Sequence, residues 1–258
     1  MEETKPVIEI GSPEETALIE EISANFPDEL QENSRLVKFM AACSLRNRYY
    51  DMESSLKRLG KYLQWRKQTF GDYKDQTIED NKLLSEQVRA GLVYVSPTHM
   101  PSGAALVFIR MRHHNPKEFD HYATLRYWHY MIMSSLIKDP TLAVHGFVFV
   151  NNSEGATMAN TDIQVPRVIS SALTKCMPIR VNSVNLVNPP WVFRLIIPVF
   201  KALFPAKLAE RINVAQIDEL PVLLSVPQEV LPTELGGQVE VDSHEGLLEK
   251  MVAENIAV

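Results

Sequence analysis

Cysteine is nearly absent from this sequence, and dense basic runs, unbroken apolar stretches and glycine-rich loops are missing. Each scarcity removes a class of function. Cys43 and Cys176 stand alone and far apart, so there is neither the paired spacing of a structural zinc site nor enough thiols to staple a secreted domain, and a reducing compartment is expected. Acidic residues outnumber basic ones, 32 against 26, for a net charge of −6. That balance offers polyanions no general attraction, and no nucleic-acid partner is expected. The opening thirty residues are acidic and carry Pro6, Pro13 and Pro27, whereas a secretory leader needs a basic start and a continuous apolar run. A cytosolic protein is expected. The most apolar stretch, Trp191–Phe204, is interrupted by Arg194, Pro198 and Lys201 and is shorter than the ~20 residues that span a bilayer.

The glycine-dependent signatures of catalysis and nucleotide binding are absent too. No G-x-S-x-G turn presents a serine nucleophile, and neither G-x-G-x-x-G nor G-x-x-x-x-G-K-[ST] lets the backbone approach a pyrophosphate. No catalytic residue and no cofactor are assigned, and the chain reads as a non-enzyme. His113 and His114 lie near Asp120 and His121, but adjacent histidines on a strand point apart and no metal-ligand spacing recurs, so no metal is expected. His129 and His145 sit in apolar runs, where a lone histidine is more often a hydrogen-bonded core residue than a catalyst.

What is present suffices for a sizeable core. The 258 residues are 45% hydrophobic and 22% charged, with 16 prolines scattered rather than clustered, the composition of an ordinary globular protein. Chains of this size bury about 70–75% of their unfolded surface, enough for one large domain or a compact pair. We find no internal repeat and no low-complexity segment.

From Pro13 to Ala90 the apolar residues recur at helical steps, as in Leu36, Phe39, Met40 and Cys43 and again in Leu56, Leu59, Leu63 and Phe70. This half predicts a helical bundle. Asp51 is placed to cap the second of those helices, and Gly71 and Asp72 to end it. After Gly91 the character changes. Ala104–Met111, Val144–Val150 and Val181–Val187 are strand-length runs of strand formers, with Arg211–Val214 as a candidate fourth. Helical stretches at Asp120–Ile137 and Val165–Cys176 separate them, and strand, helix, strand order predicts parallel crossovers. The fold class is therefore α/β, with an N-terminal helical module over residues 1–90, a mainly parallel sheet lobe over 91–240 and a C-terminal tail over 241–258.

Within Trp191–Phe204 the large apolar residues fall on one broad helical face, and Arg194 and Lys201 on another. Pro198 predicts a kink. By pattern alone this is either a core helix or a movable lid with an oily inner face and cationic outer residues suited to an anionic bilayer.

The run MPIRVNSVNLVNPPWVFRLIIPVFKALFPAKLAERINV, followed by VPQEVLPTELGG, resembles the second half of CRAL-TRIO lipid-binding domains, with the nearest likeness to the tocopherol-transfer and retinaldehyde-binding proteins. LRNRYYDMESSLKRLGKYLQWRK is similar to the family's N-terminal helices, and HHNPKEF also fits, so the likeness runs from Asp28 to Gly237. The resemblance implies a hydrophobic pocket floored by the sheet, with Trp191–Phe204 as a gate helix. It implies a bound hydrophobic ligand resting on Trp128, Ile132, Met133, Phe147, Phe149, Ile169, Leu173, Val192, Phe193, Ile196, Ile197 and Phe200. It further implies a basic cluster for phosphoinositide headgroups at Arg48, Arg180, Lys207 and Arg211. Three departures stand out: Asn182 replaces a frequent second basic residue, Asn188-Pro189-Pro190 replaces Asn-Glu-Pro, and the helix between Pro166 and Pro178 is about one turn short at ~3.6 residues per turn.

Three functions follow as expectations. The first is a monomeric cytosolic carrier of a terpenoid, retinoid or tocopherol-like molecule that exchanges it at membranes. The second is a phosphatidylinositol or phospholipid transfer protein, and the third a regulatory interaction module, which is expected to ride beside further domains.

Overall fold

Short polar side chains start the long helices. In the computed structural model, Ser12, Asp51, Asn81 and Asp120 each accept a backbone N–H from the first turn of the helix that follows, at 2.8–3.1 Å, which satisfies donors the helix itself leaves orphaned. Gly71 and Gly91 close two of those helices at φ 81° and 71°, a left-handed conformation that costs glycine nothing. The structure describes residues 8–26, 34–71, 77–241 and 244–258. Asp72, expected beside Gly71 as a helix breaker, lies outside the described residues, as do the parts of the helical module and tail that fall in the gaps.

The helical half comprises α1 (Pro13–Ser23), α2 (Ser34–Asn47), α3 (Met52–Phe70) and α4 (Lys82–Ala90). The lobe follows in the order β1 (Val93–His99), β2 (Ala105–Arg110), α5 (His121–Lys138), α6 (Leu142–His145), β3 (Phe147–Asn152), α7 (Gln164–Lys175) and β4 (Val181–Val187). Then come α8 (Trp191–Ala202), α9 (Ala206–Ala209), β5 (Ile212–Ala215), α10 (Leu220–Leu224) and α11 (His244–Glu254). The strands lie in the order β1-β2-β3-β4-β5, antiparallel only between β1 and β2. The expected α/β architecture is thus present, with crossovers through α5, α7 and α8.

Alternation along the central strands buries both faces of the sheet. Ala105, Val107, Phe147 and Phe149 face the large core they share with α2, α3, α5 and α7. Leu106, Phe108, Val148 and Val150 face a second core closed by Leu220, Leu224, Leu231 and Leu235. The L-P-x-E-x-G-G ending is what fixes that second layer. Glu234 forms ion pairs with Arg110 at 3.1 Å and Arg112 at 2.7 Å, at the end of β2. A Cβ at Gly237 would lie 1.9 Å from the Leu231 carbonyl oxygen, so only glycine fits there. The motif is a clasp across the sheet's end.

Several elements differ from the sequence reading. β1 was not expected: it is an edge strand whose Pro97 breaks its pattern, which an edge tolerates. Val144 and His145 belong to α6 rather than to a strand, and β3 starts only after Gly146, whose φ of 83° breaks the run. The tail carries α11, which buries Leu248 and Met251 in the main core, and two residues past its end the Ile256 carbonyl accepts a hydrogen bond from Tyr130 at 2.9 Å. Both cysteines are buried and neither is in a disulfide, and burial pushes the Cys43 thiol up to about 12, which leaves it unreactive.

Candidate ligand-binding cavity

One layer of the lobe leaves space between the sheet and its covering helices. β2 contributes Ile109, β3 Phe149 and Asn151, and β4 Val184 and Leu186 to a cavity of about 200 Å³. The alternation of each strand requires this, since residues two apart share a face. Trp128 on α5 stacks on Phe149 with ring centroids 5.9 Å apart, and Ile169 and Leu173 reach in from α7. The roof is α8, through Phe193, Ile197 and Phe200, with Phe204 just beyond it. Ser170 on α7 ties the end of that roof by donating to the Leu203 carbonyl at 2.7 Å. The wall is apolar almost throughout.

Seven of the residues nominated for the pocket therefore meet around one space: Trp128, Phe149, Ile169, Leu173, Phe193, Ile197 and Phe200. Ile132, Met133 and Phe147 are buried but do not line it, for a geometric reason. Ile132 lies a full helical turn past Trp128, and Phe147 two residues before Phe149, so both continue the lining rows into the solid core, where Met133 also lies. The side chains of Val192 and Ile196 lie outside the described residues. Sequence reasoning missed Tyr127, Leu186 and the polar wall residues His114, Thr124, Asn151 and Ser153. The period-two continuation from Phe149 to Asn151 and Ser153 was a signal that would have found the last two.

α8 is apolar on two sides. Phe193, 8% exposed, Ile197 and Phe200 point inward, whereas Trp191, Leu195 and Val199, at 76%, 68% and 55%, point to solvent. The outer three are spaced four apart, one stripe of a helix. Arg194 is exposed beside them and donates to the Pro189 carbonyl at 3.3 Å.

Two of the nominated basic residues, Arg180 and Arg211, flank the start of β4. Arg180 stacks its guanidinium over Tyr49 at 4.9 Å, beside Arg48, whose Nε is buried with no hydrogen-bond partner among the described residues. Arg211 donates to the Val181 carbonyl. Lys207, on α9, is exposed. Asn182, which stands where the resembled proteins often have a second basic residue, donates to the His145 carbonyl at 2.8 Å and packs on Gly146, so it closes α6.

The histidines do structural work. His114 Nδ1 lies 2.8 Å from the Asn160 carbonyl, which can only accept, so Nε2 is left to accept from Thr124 at 3.4 Å. Asp120 caps α5, His113 accepts from Arg112, and His121 lies 3.7 Å from Asp162. Among the described residues no cluster could hold a metal ion. His145 is exposed, not embedded in apolar side chains, because the turn of α6 carries it outward.

His129 is buried against Tyr62, Trp65 and Phe70, with Nε2 3.0 Å from the Tyr62 hydroxyl. Burial, reinforced by the charges of Arg66 and Arg126, holds its pKa well below 6.5. The unfolded chain takes up this proton below about 6.5 while the folded one does not, so stability is full above that value and falls as pH drops, at ~1.4 kcal/mol per unit. Urea midpoints between pH 7 and 5 should therefore decline in the native protein and decline less in His129→Leu. Equal slopes would show that the imidazole does not set the acid limb.

Comparison with known proteins settles the family. Residues 91–237 match the CRAL/TRIO domain. The chain belongs to that family. A human protein named alpha-tocopherol transfer protein-like is 25% identical over 199 residues, covering 75% of this chain and 56% of that protein. Tyrosine-protein phosphatase non-receptor type 9 of Mus musculus is 26% identical over 62% of this chain, which is 26% of the phosphatase. Mouse clavesin-2 is 26% identical over 42% of this chain and 34% of its own length. The chain thus spans about a quarter to about half of these relatives. The crystal structure of Sfh5 superposes on 96% of this chain and 100% of its own with a TM-score of 0.53 at 11% identity, a likeness of fold. CRAL/TRIO proteins bind and transfer lipophilic ligands. Among the described residues no helix is long and apolar enough to cross a membrane.

Proposed function

We propose that this protein is a cytosolic, monomeric carrier that holds a small hydrophobic molecule, terpenoid, retinoid or tocopherol-like, and exchanges it at anionic membranes without performing chemistry on it. The observation that carries the reading is the two-sided apolar character of α8, whose inner face roofs the cavity while its outer stripe is exposed. A helix apolar on two sides is at rest only when both of those sides are covered. The cavity wall covers one, and a bilayer interface covers the other when α8 docks. The cavity of about 200 Å³ is below the ~300–1,000 Å³ of typical ligand pockets, so admitting a larger cargo requires α8 to swing outward, the motion that docking favours. Apolar area lost to the cargo stabilises it by ~25 cal/mol per Å². The 25% identity to the transfer protein-like relative supports the same reading.

The test is native mass spectrometry with organic extraction of the protein from its own source. A single terpenoid or retinoid supports the carrier, a phospholipid moves the assignment to phospholipid exchange, and a reproducibly empty protein turns it to an interaction module. Trp191→Ser should lower partitioning onto vesicles about tenfold, the loss of one interfacial aromatic, while leaving cargo in place.

We further assign the cationic edge at Lys207, Arg211, Arg180 and Arg48 to anionic headgroups, including phosphoinositides. Lys207 is the residue to test, because Arg211 and Arg180 also hold the start of β4 in place. Lys207→Glu should slow transfer to anionic vesicles severalfold at low salt, and the deficit should shrink as the Debye length falls from about 30 Å at 0.01 M to about 8 Å at 0.15 M. An unchanged rate at low salt removes Lys207 from the mechanism.

A further inference from the structure

Among the described residues of the cavity wall, one buried polar atom stands out. Asn151 occupies the third inward position of β3, after Phe147 and Phe149, and its register partners across the sheet are Ile109 on β2 and Leu186 on β4. All three line the cavity. Neither flanking side chain can hydrogen-bond, and Asn151 Oδ1 is buried with no partner among the described residues. The contrast with Asn185, on the neighbouring strand, is direct. Its Nδ2 donates to the Phe149 carbonyl at 3.1 Å and to Ser183 at 3.0 Å, and its Oδ1 accepts from Asn213 at 2.9 Å. Asn185 is a satisfied sheet amide, whereas the Oδ1 of Asn151 lies unpartnered among the described residues in an otherwise apolar row. Leaving a buried amide oxygen unpaired is costly, and a valine or leucine would fit the strand without that cost.

We propose that Asn151 is the polar anchor for the cargo, and that the cargo carries a hydroxyl group held at the end of the cavity where β2 and β3 terminate. The proposal rests on the carrier reading and deepens it. Beyond Asn151 on the same face lies Ser153, and Thr124 and His114 complete that end of the wall. Because His114 Nε2 accepts the Thr124 proton, the Thr124 oxygen keeps its own lone pairs available to a donor. The orphaned group is an acceptor, so the cargo must donate. A hydroxyl supplies that donor. An aldehyde, ester or hydrocarbon offers no proton and leaves Oδ1 unpaired, which is how a site built to hydrogen-bond rejects an analogue of nearly the same shape.

The experiment titrates the protein, stripped of cargo, with farnesol and with farnesyl methyl ether by isothermal calorimetry. The pair shares its hydrocarbon and differs in the hydroxyl proton. The native protein should bind the alcohol at least about tenfold more tightly, and Asn151→Leu should bring the ratio close to one, with the ether gaining. Asn151→Val, a good strand former, carries the same reading if the leucine is too large. The empty Asn151→Leu protein should also melt above the native one, since an unpaired amide is gone. Equal affinities in the native protein, or a preference that survives both substitutions, overturns the anchor and leaves the carrier standing. Failure of the native protein to bind either probe overturns the carrier reading, and the anchor with it.

Discussion

Replacing Glu15 by Leu should cost about 3–5 kcal/mol of folding stability, the usual consequence of leaving a buried charge without its partner. Glu15 is 1% exposed and receives Arg46 through two parallel bonds of 2.8 and 2.9 Å, the Tyr50 hydroxyl at 2.8 Å and the Gly11 amide at 2.7 Å. That set joins α1 to α2 and so holds the outermost helix on the bundle. Burial pushes the carboxyl up, but the bonds from Arg46, Gly11 and Tyr50 outweigh it and hold the group below its ordinary 4.5. A depressed folded value means the stabilisation is complete above the unfolded value near 4.5 and is lost as pH falls through the folded one. Denaturant midpoints should therefore fall in acid for the native protein, and Glu15→Leu should lack that part of the decline. The double variant Glu15→Leu, Arg46→Met should recover most of the loss, because two apolar side chains need no desolvation of charge. If the double variant is as unstable as the single one, the damage is packing and the ion pair is incidental.

Neither the partnership of Glu15 and Arg46 nor its burial was visible in the sequence, because nothing local marks a carboxylate that will meet an arginine 31 residues away. What was legible was whatever depends on period and punctuation. Asp51 and Gly71 set the ends of α3 as expected, and Val181–Val187 emerged as a strand with the predicted limits. Trp128, Phe149 and Phe193 were recognisable as wall residues because resemblance supplied the topology that brings three distant segments together. The nominated residues that lie off the cavity have one origin. Ile132 and Phe147 share the faces of Trp128 and Phe149, and a face says nothing about how far along it the cavity extends. Asn151 was overlooked for the opposite reason: the run of strand formers ends at Val150, so the polar residue after it reads as the start of a loop, whereas β3 continues to Asn152. β1 and α11 were missed because each is recruited by tertiary contact, one as an edge and the other by burying Leu248 and Met251.

The two faces of α8 lie within one turn of each other, which permits the same substitution to be made on both. Phe193→Asp should lower cargo loading about a hundredfold or more, whereas Leu195→Asp should leave loading intact and weaken vesicle binding instead. Phe193 is 8% exposed and forms part of the cavity roof, while Leu195 is 68% exposed. A carboxylate at 193 either remains charged in an apolar wall, at a cost of several kcal/mol, or drives its helix outward and opens the space to water. Both outcomes empty the cavity, and each ~1.4 kcal/mol is a factor of ten in occupancy. At 195 the charge stays in water, so the apo and loaded proteins are unaffected until α8 must enter an interface. There it meets both the desolvation cost and the repulsion of anionic lipid. The helical module reports whether the fold survives: its Tyr62, Trp65 and Phe70 cluster around His129 is built from α3 and α5 alone, so its near-ultraviolet signature should persist in both variants. Loading retained by Phe193→Asp would mean that α8 is a fixed core helix, and that cargo enters by another route or does not enter at all. Loss of loading in both variants would mean that α8 responds as one unit, with no division between an inner and an outer face.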